Sequence, residues 1–282
     1  MYQAGLVLEG GGMRGMYTCG VLEFFLEKGI EFSHCYGVSA GSCHLCSYLS
    51  KQKKRGYRVG VDYLKDKEYC SIYSLLKTGD LFHADYCYNR IPNELNPYDY
   101  ETFDKYEGKA YAVATDIETG EAAYLHLQDL RKDMRAIQAS SSLPLVSNNV
   151  EIDGHLYLDG GISDGIPIGK SIQDGNTKNI VILTKAEDYR RKPSSALWLT
   201  RMWYRKYPKV YELMKNRHIT YNRTLDYLEE LKADGRALVF RPQIDLGIKR
   251  IEKDKEKLTA LYELGYQDAQ KRYEELLSYL DS

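Results

Sequence analysis

The seven residues Cys35-Tyr36-Gly37-Val38-Ser39-Ala40-Gly41 constrain the fold of this chain more than any others. An apolar, strand-like run stops at a Gly-x-Ser-x-Gly sequence, and the small and apolar residues 42–49 that follow suit a helix. Strand, sharp turn and helix form the context in which such a motif has meaning. Gly37 and Gly41 lack Cβ atoms, so the turn can be tight and a helix can pack close behind it. A serine at that turn lifts its hydroxyl out of the sheet edge, beside a helix N-terminus that favours negative charge. This suits a nucleophile attacking a carbonyl. A glycine- and serine-rich turn without chemistry accounts for the five motif residues equally well.

Residues 5–9 read as an earlier buried strand. Gly10-Gly11-Gly12-Met13-Arg14-Gly15 follows, then a helix over residues 16–28 with Val21, Leu22, Phe25 and Leu26 on one face and Gly29 to end it. The loop matches G-x-G-x-x-G, but a dinucleotide site also needs a carboxylate at the tip of the second strand, which here ends at Val38-Ser39. A parallel β-α-β unit instead brings both strand ends to one sheet edge. The N–H groups of Gly11 and Gly12 can then face an oxyanion developing near Ser39, an arrangement worth about 3–4 kcal/mol per donor in acyl transfer. Arg14 either braces this loop, binds an anionic head group, or faces solvent.

Further along, residues 51–55 read as a solvated basic helix end and residues 59–76 carry helical spacing. Residues 78–80 and 89–98 read as loops. Residues 108–116 form a strand paired through Glu118-Thr119-Gly120 with residues 121–127. Asp129 is placed to cap a helix reaching Ser140, after which Ala139-Ser140-Ser141-Ser142-Leu143-Pro144 lets backbone or substrate approach closely. The strand 155–158 runs into Asp159-Gly160-Gly161, the same strand-then-turn construction as at Ser39. Strands at 180–184 and 237–240 and helical stretches at 194–234 and 254–280 complete the chain. The late strand argues for a single domain over residues 1–282, with a core at about 5–185 and a mainly helical elaboration at about 186–282.

A net charge of -1 provides no global field to draw nucleic acid, so none is expected as a partner. The 26 tyrosines suit lipid interfaces or reflect bias over a helical surface. The basic, aromatic stretch around Trp198, Trp203 and Tyr204 is either a solvated face or a peripheral membrane contact. No apolar run approaches the roughly 18 residues of a membrane span. The six cysteines all lie in the first third, no signal peptide precedes them, and Cys43-His44-Leu45-Cys46 has no second ligand pair at zinc spacing. These features point to a reducing, cytoplasmic setting, with contact at the inner membrane face left open, and to a helical role for the Cys-x-x-Cys.

A serine needs a base. None of the six histidines sits in a motif, and the order Ser, acid, His of an α/β-hydrolase would leave His218 alone after Asp159. Asp159, at a strand-end turn, is the stronger candidate. Its carboxylate is a weak base at its ordinary pKa near 4, so catalysis would lean on geometry and on the oxyanion donors.

Taken together, these residues resemble the patatin-like phospholipases, in particular their bacterial members. The likeness rests on Gly10 through Gly15, on Gly37-Val38-Ser39-Ala40-Gly41, on Ala139 through Pro144 and on Asp159-Gly160-Gly161, in matching order and spacing. It covers about residues 5–185 and, more weakly, the tail through Ala269. Many relatives carry alanine where Gly161 stands. The resemblance implies an α/β fold, a three-layer α/β/α sandwich around a central, mostly parallel sheet. It implies a Ser39–Asp159 dyad without histidine, an oxyanion hole at Gly10, Gly11, Gly12, Met13, Arg14 and Gly15, and hydrolysis of lipid acyl esters through an acyl-serine. Neither metal nor cofactor is implied. A catalytically silent lipid-binding protein is the alternative, and the intact Ser39 and Asp159 argue against it.

Overall fold

The structure is a computed structural model that describes residues 1–282. Its strands are β1 (Tyr2–Leu8), β2 (Phe32–Val38), β3 (Lys109–Asp116), β4 (Ala122–His126), β5 (Val150–Ile152), β6 (His155–Asp159), β7 (Asn179–Ile182) and β8 (Ala237–Phe240). They form one 8-stranded sheet in the order β5-β6-β3-β2-β1-β7-β8, with β4 also paired to β3. The stretch from β3 to β8 is parallel. The β4, β5 and β6 pairings are antiparallel, so the sheet is mixed at that end.

The helices are α1 (Met16–Glu27), α2 (Ala40–Leu49), α3 (Arg55–Asp62), α4 (Ile72–Thr78), α5 (Tyr100–Phe103), α6 (Leu130–Ser140), α7 (Ile168–Gln173), α8 (Leu197–Trp203), α9 (Pro208–Ala233), α10 (Lys255–Lys271) and α11 (Tyr273–Asp281). The central strands are apolar on both faces, as parallel strands covered on both sides must be. Leu6, Leu8, Ile180, Ile182 and Phe240 pack into one layer with α1, α2, α6 and α10. Val7, Tyr36, Val181 and Val239 pack into the other, against Ile168 of α7 and Leu225 and Leu228 of α9. The result is a three-layer α/β/α sandwich.

Helices α1 and α10 cross with their backbones nearly in contact. A Cβ on Gly20 would lie 2.0 Å from the Tyr262 carbonyl oxygen, and one on Gly265 would lie 2.1 Å from that of Tyr17. The Tyr17 hydroxyl donates to Asp268 at 2.9 Å and ties the same pair together. The late strand β8 pairs in parallel with β7, so the C-terminal third contributes to the same sheet.

Several segments differ from the sequence expectation. Residues 59–76 are two helices, because Ser71 caps a new one by accepting the Ser74 N–H. Residues 86–95, expected largely as loop, form a π-helix that accommodates Pro92. The stretch 194–234 breaks before Pro208, which sits in the first turn of α9. The stretch 254–280 breaks at Arg272, whose guanidinium is held by the Val239 carbonyl at 2.6 Å. Arg55 is not solvated: it is 2% exposed, stacks 3.3 Å from the Tyr98 ring centroid, and donates to Asn96 O and Ser47 Oγ. Many tyrosines are interior rather than spread over a helical surface. Tyr36, Tyr86 and Tyr221 bury their rings and donate to Asp174, Asp66 and Glu9.

Candidate active site

Ser39 lies between β2 and α2 with φ 55° and ψ -124°. A non-glycine residue at such a φ is strained by about 1–3 kcal/mol and persists only where its surroundings hold it. Its N–H donates to Ser140 Oγ at 2.9 Å, and the Ser140 hydroxyl donates to Val113 O at 2.6 Å. Its carbonyl accepts from the N–H and the hydroxyl of Ser42, at 2.9 and 2.7 Å. The flanking small residues are steric necessities. A Cβ on Gly37 would sit 2.5 Å from Ser42 Cα, and one on Gly41 2.7 Å from Leu8 O.

The glycine loop leaves the end of β1 beside this turn. A Cβ on Gly10 would meet the Ser39 Cβ at 2.9 Å, so only glycine allows the loop to come so near. Gly12 has φ +58°, and the Met13 N–H donates to Arg250 O at 2.9 Å. The Arg14 N–H reaches Gly11 O at 3.4 Å. Of the six loop residues, Gly10, Gly11 and Gly12 retain N–H groups with no protein acceptor. Gly15 sits under Ala40 and His44.

Asp159 arrives by a route the sequence did not indicate. β6 runs antiparallel to β3, with Asp159 opposite Ala114, while the preceding residue of β3, Val113, pairs with Val38 of β2. The end of β6 is therefore two strand spacings, roughly 10 Å of backbone, from the serine turn. Asp159 is 2% exposed. Its N–H donates to Ser142 O at 2.8 Å, and its Oδ1 accepts the Gly161 N–H at 2.7 Å. Its Oδ2 is buried without a partner. Ser39 and Asp159 line the same polar pocket, although no hydrogen bond joins them directly. Gly160 packs on the Val113 carbonyl, and Gly161 lies under Arg217 and Asp159.

Ser39 also borders a second, apolar cavity of about 970 Å³, part of it open to solvent, lined by residues such as Met13, Met16, Val59, Tyr88, Ile137 and Leu143. Ser39, Gly12 and Leu143 belong to both spaces. The turn thus separates an apolar chamber from a charged one.

His44 lines the apolar chamber one helical turn after Ser39, and burial pushes its pKa down to about 4, so it is neutral at pH 7. It makes no hydrogen bond to Ser39. Cys43 borders the same chamber with its thiol pKa raised by burial. All six cysteines are free, and no cluster of three or more His, Cys, Asp or Glu side chains could hold a metal ion. His155 is exposed on β6 and pairs with Asp116 at 3.1 Å. No helix is long and apolar enough to cross a membrane.

Sequence comparison fits this geometry. The family model for patatin-like phospholipase matches residues 6–170, more than half of the chain. The chain belongs to the patatin-like phospholipase family. A second model, a domain of unknown function (DUF6363), matches residues 207–281, spanning α9 through α11. Similar proteins include the uncharacterized protein YjjU of Escherichia coli, 28% identical over 71% of this chain and 55% of that protein. A probable lipid hydrolase, 463L, of Invertebrate iridescent virus 6 is 25% identical over 63% of this chain and 66% of that protein. The lysophospholipase NTE1 of Scheffersomyces stipitis is 23% identical over 86% of this chain but only 16% of its own length. The chain therefore spans about half to two-thirds of the first two and a small part of the third. Among solved structures, VipD from Legionella pneumophila is similar with TM-score 0.47 and 14% identity, over 100% of this chain and 67% of that one.

Three parts of the site were not legible as such. Ser140 read as one small residue among several and proves to hold the serine turn. His44 read as a helix residue and proves to wall the apolar chamber. Arg191, Arg217 and Arg250 sit in no motif, and nothing in their local sequence says that they converge.

Proposed function

We propose that this chain is a serine hydrolase of lipid acyl esters, a phospholipase or lipid acyl hydrolase, in which Ser39 is the nucleophile and Asp159 its base. The observation that carries the reading is the placement of a strained, clamped serine and a buried carboxylate with one free oxygen in a single pocket at the mouth of an apolar cavity. The lipid-hydrolase names of relatives are consistent with it. In this mechanism the acyl chain occupies the apolar chamber and presents its carbonyl to Ser39. Ser39 Oγ bonds to the carbonyl carbon while its proton passes to Asp159 Oδ2. The oxyanion is held by N–H groups of Gly10, Gly11 and Gly12, which no protein acceptor occupies. Collapse expels the alcohol, which takes the proton back from Asp159 and leaves an acyl-serine. Water, deprotonated by the same carboxylate, then bonds to the acyl carbon, and the proton passes from Asp159 to Ser39 Oγ as the acyl–oxygen bond breaks and the fatty acid leaves. The pair needs neither histidine nor metal.

In this proposal residues 1–282 are one domain, with the region after about 185 elaborating the core. Trp198 and Trp203 on α8 are 66% and 69% exposed, beside the similarly exposed Met202, and offer a peripheral contact for a lipid surface. Tyr204 does not belong to that contact: it is buried, and its hydroxyl accepts the Leu145 N–H. Free thiols throughout fit a cytoplasmic setting.

The test is the intact mass of the protein after incubation with a fluorophosphonate. A single adduct is expected on wild type and none on Ser39→Ala, and Asp159→Asn should lower turnover of a p-nitrophenyl acyl ester about 10²–10⁴-fold with the fold retained. Equal turnover in wild type and both variants would overturn the assignment.

A further inference from the structure

The charged pocket on the far side of Ser39 holds four arginines, Arg14, Arg191, Arg217 and Arg250, and only two carboxylates, Glu9 and Asp159. Glu9 is already occupied by neutral donors: Tyr221 Oη at 2.7 Å on one oxygen, and the N–H and hydroxyl of Thr184 at 2.6 and 3.0 Å on the other. None of the four guanidinium groups forms an ion pair with any residue. Arg217 uses only Nε, which donates to Gly161 O at 2.5 Å. The Nε atoms of Arg14 and Arg191 are buried with no partner at all. Buried donors in native proteins are almost always satisfied, and buried charges are paired. These residues are left over in a pocket that opens on the reacting serine.

Their backbones are held firmly, while most of their guanidinium N–H groups make no hydrogen bond within the protein. Arg191 lies 4.2 Å from the Tyr221 ring centroid, and its N–H and carbonyl are both bonded by the Asn222 side chain, at 2.9 and 3.1 Å. The Arg250 carbonyl accepts the Met13 N–H, which ties the loop before α10 to the glycine loop. Arg217 projects from α9. Three of the four arginines thus come from the region after residue 185, while only Arg14 comes from the glycine loop. Burial, together with the nearby Arg191, pushes Arg217 down to about 9, which still leaves it charged at pH 7. Arg14 is likewise lowered, by burial first and then by Arg250.

We propose that Arg14, Arg191, Arg217 and Arg250 form a subsite for a phosphoryl group carried on the alcohol portion of the ester, so that the C-terminal region selects acyl esters of glycerophosphate. The proposal rests on the hydrolase reading above for its orientation. With the acyl chain in the apolar chamber and the carbonyl at Ser39, the alcohol side extends toward the arginine pocket, which is open to solvent on its outer side. The excess of guanidinium over carboxylate favours a phosphomonoester dianion over a phosphodiester, and either over a neutral alcohol. Arginine's planar fork suits phosphate oxygens in pairs.

The experiment compares kcat/KM for a 1-acylglycerol 3-phosphate with that for the 1-monoacylglycerol of the same chain, both below their critical micelle concentrations. Wild type should prefer the phosphate ester by at least about tenfold, and Arg191→Gln and Arg250→Gln should each reduce that preference about tenfold, chiefly through KM. Thermal unfolding of both variants checks the fold, and Arg191→Lys should restore part of the preference. A wild-type preference near unity, or variants that leave it unchanged, would overturn the proposal while leaving the hydrolase reading intact. Calorimetric titration of Ser39→Ala with decyl phosphate and with inorganic phosphate separates the two failures and the two anion sources. Binding of decyl phosphate that is lost on adding Arg191→Gln supports the subsite even if no ester is turned over. Inorganic phosphate binding as tightly as decyl phosphate would make this a site for a free anion and refute the head-group assignment.

Discussion

Replacing Ser140 by alanine tests how the strained serine turn is maintained. The Ser140 hydroxyl is buried, accepts the Ser39 N–H and donates to the Val113 carbonyl. Its removal leaves two buried groups short of a partner. At about 1–3 kcal/mol for each unsatisfied group, and taking the lower half of that range because a carbonyl has a second lone pair, the cost is about 2–4 kcal/mol. In a chain of this size that corresponds to a fall in Tm of roughly 5–12 °C. Freed from the clamp, Ser39 can relax from φ 55°, and under the proposed mechanism a displacement of about 1 Å at its hydroxyl costs on the order of 10²-fold in turnover. Urea unfolding gives the first quantity, and hydrolysis of a p-nitrophenyl ester gives the second. A double-mutant cycle sharpens the argument. Ser39→Gly removes the strain and should itself stabilise the fold by about 1 kcal/mol while abolishing acyl transfer. In that background Ser140→Ala should cost less than it does alone. Refutation would be a Ser140→Ala protein within about 0.5 kcal/mol of wild type with undiminished turnover.

Gly20→Ala should destabilise by more than about 2 kcal/mol, read by thermal or denaturant unfolding, because its Cβ would sit 2.0 Å from a backbone oxygen of α10 that no side-chain rotation can move. Arg55→Ala should cost about 2–4 kcal/mol in the same measurement, since it strips the Asn96 carbonyl and the Tyr98 ring of their partner. For His44 the folded pKa of about 4 lies below the ordinary 6.5, so protons bind the unfolded chain first. The stability it confers is complete above pH 6.5 and is lost as pH falls toward 4, by no more than about 3 kcal/mol. His44→Gln should flatten the stability profile in that window, and an unchanged slope would show that His44 is not held neutral.

The parts of this protein that local chemistry dictates were readable in its residues. Gly10, Gly37 and Gly41 are required where the backbone comes within a Cβ radius of its neighbours, and the apolar runs of β1, β2, β7 and β8 declare strands buried on both faces. Ser71, Pro208 and Arg272 divided helices that periodicity alone had joined, because a cap, a proline and a long-range hydrogen bond each override a repeating apolar pattern. Arg55 shows the same limit: a guanidinium in a basic run is interior when an aromatic ring and a carbonyl await it elsewhere in the chain.

Which residues meet across the sheet is a different kind of information. The serine turn, the glycine loop and the Asp-Gly-Gly turn each carry a local signature, yet Asp159 comes to line the same pocket as Ser39 only through the antiparallel register of β6 on β3. Apart from Arg14 in the glycine loop, the arginine pocket has no local signature. Arg14, Arg191, Arg217 and Arg250 are scattered over more than two hundred residues and are brought together by β8 joining the sheet and by α9 crossing it. Short-range sterics and hydrogen bonding act between chain neighbours and so leave their mark in sequence. Charge convergence depends on how distant segments pack, and only the tertiary structure decides it.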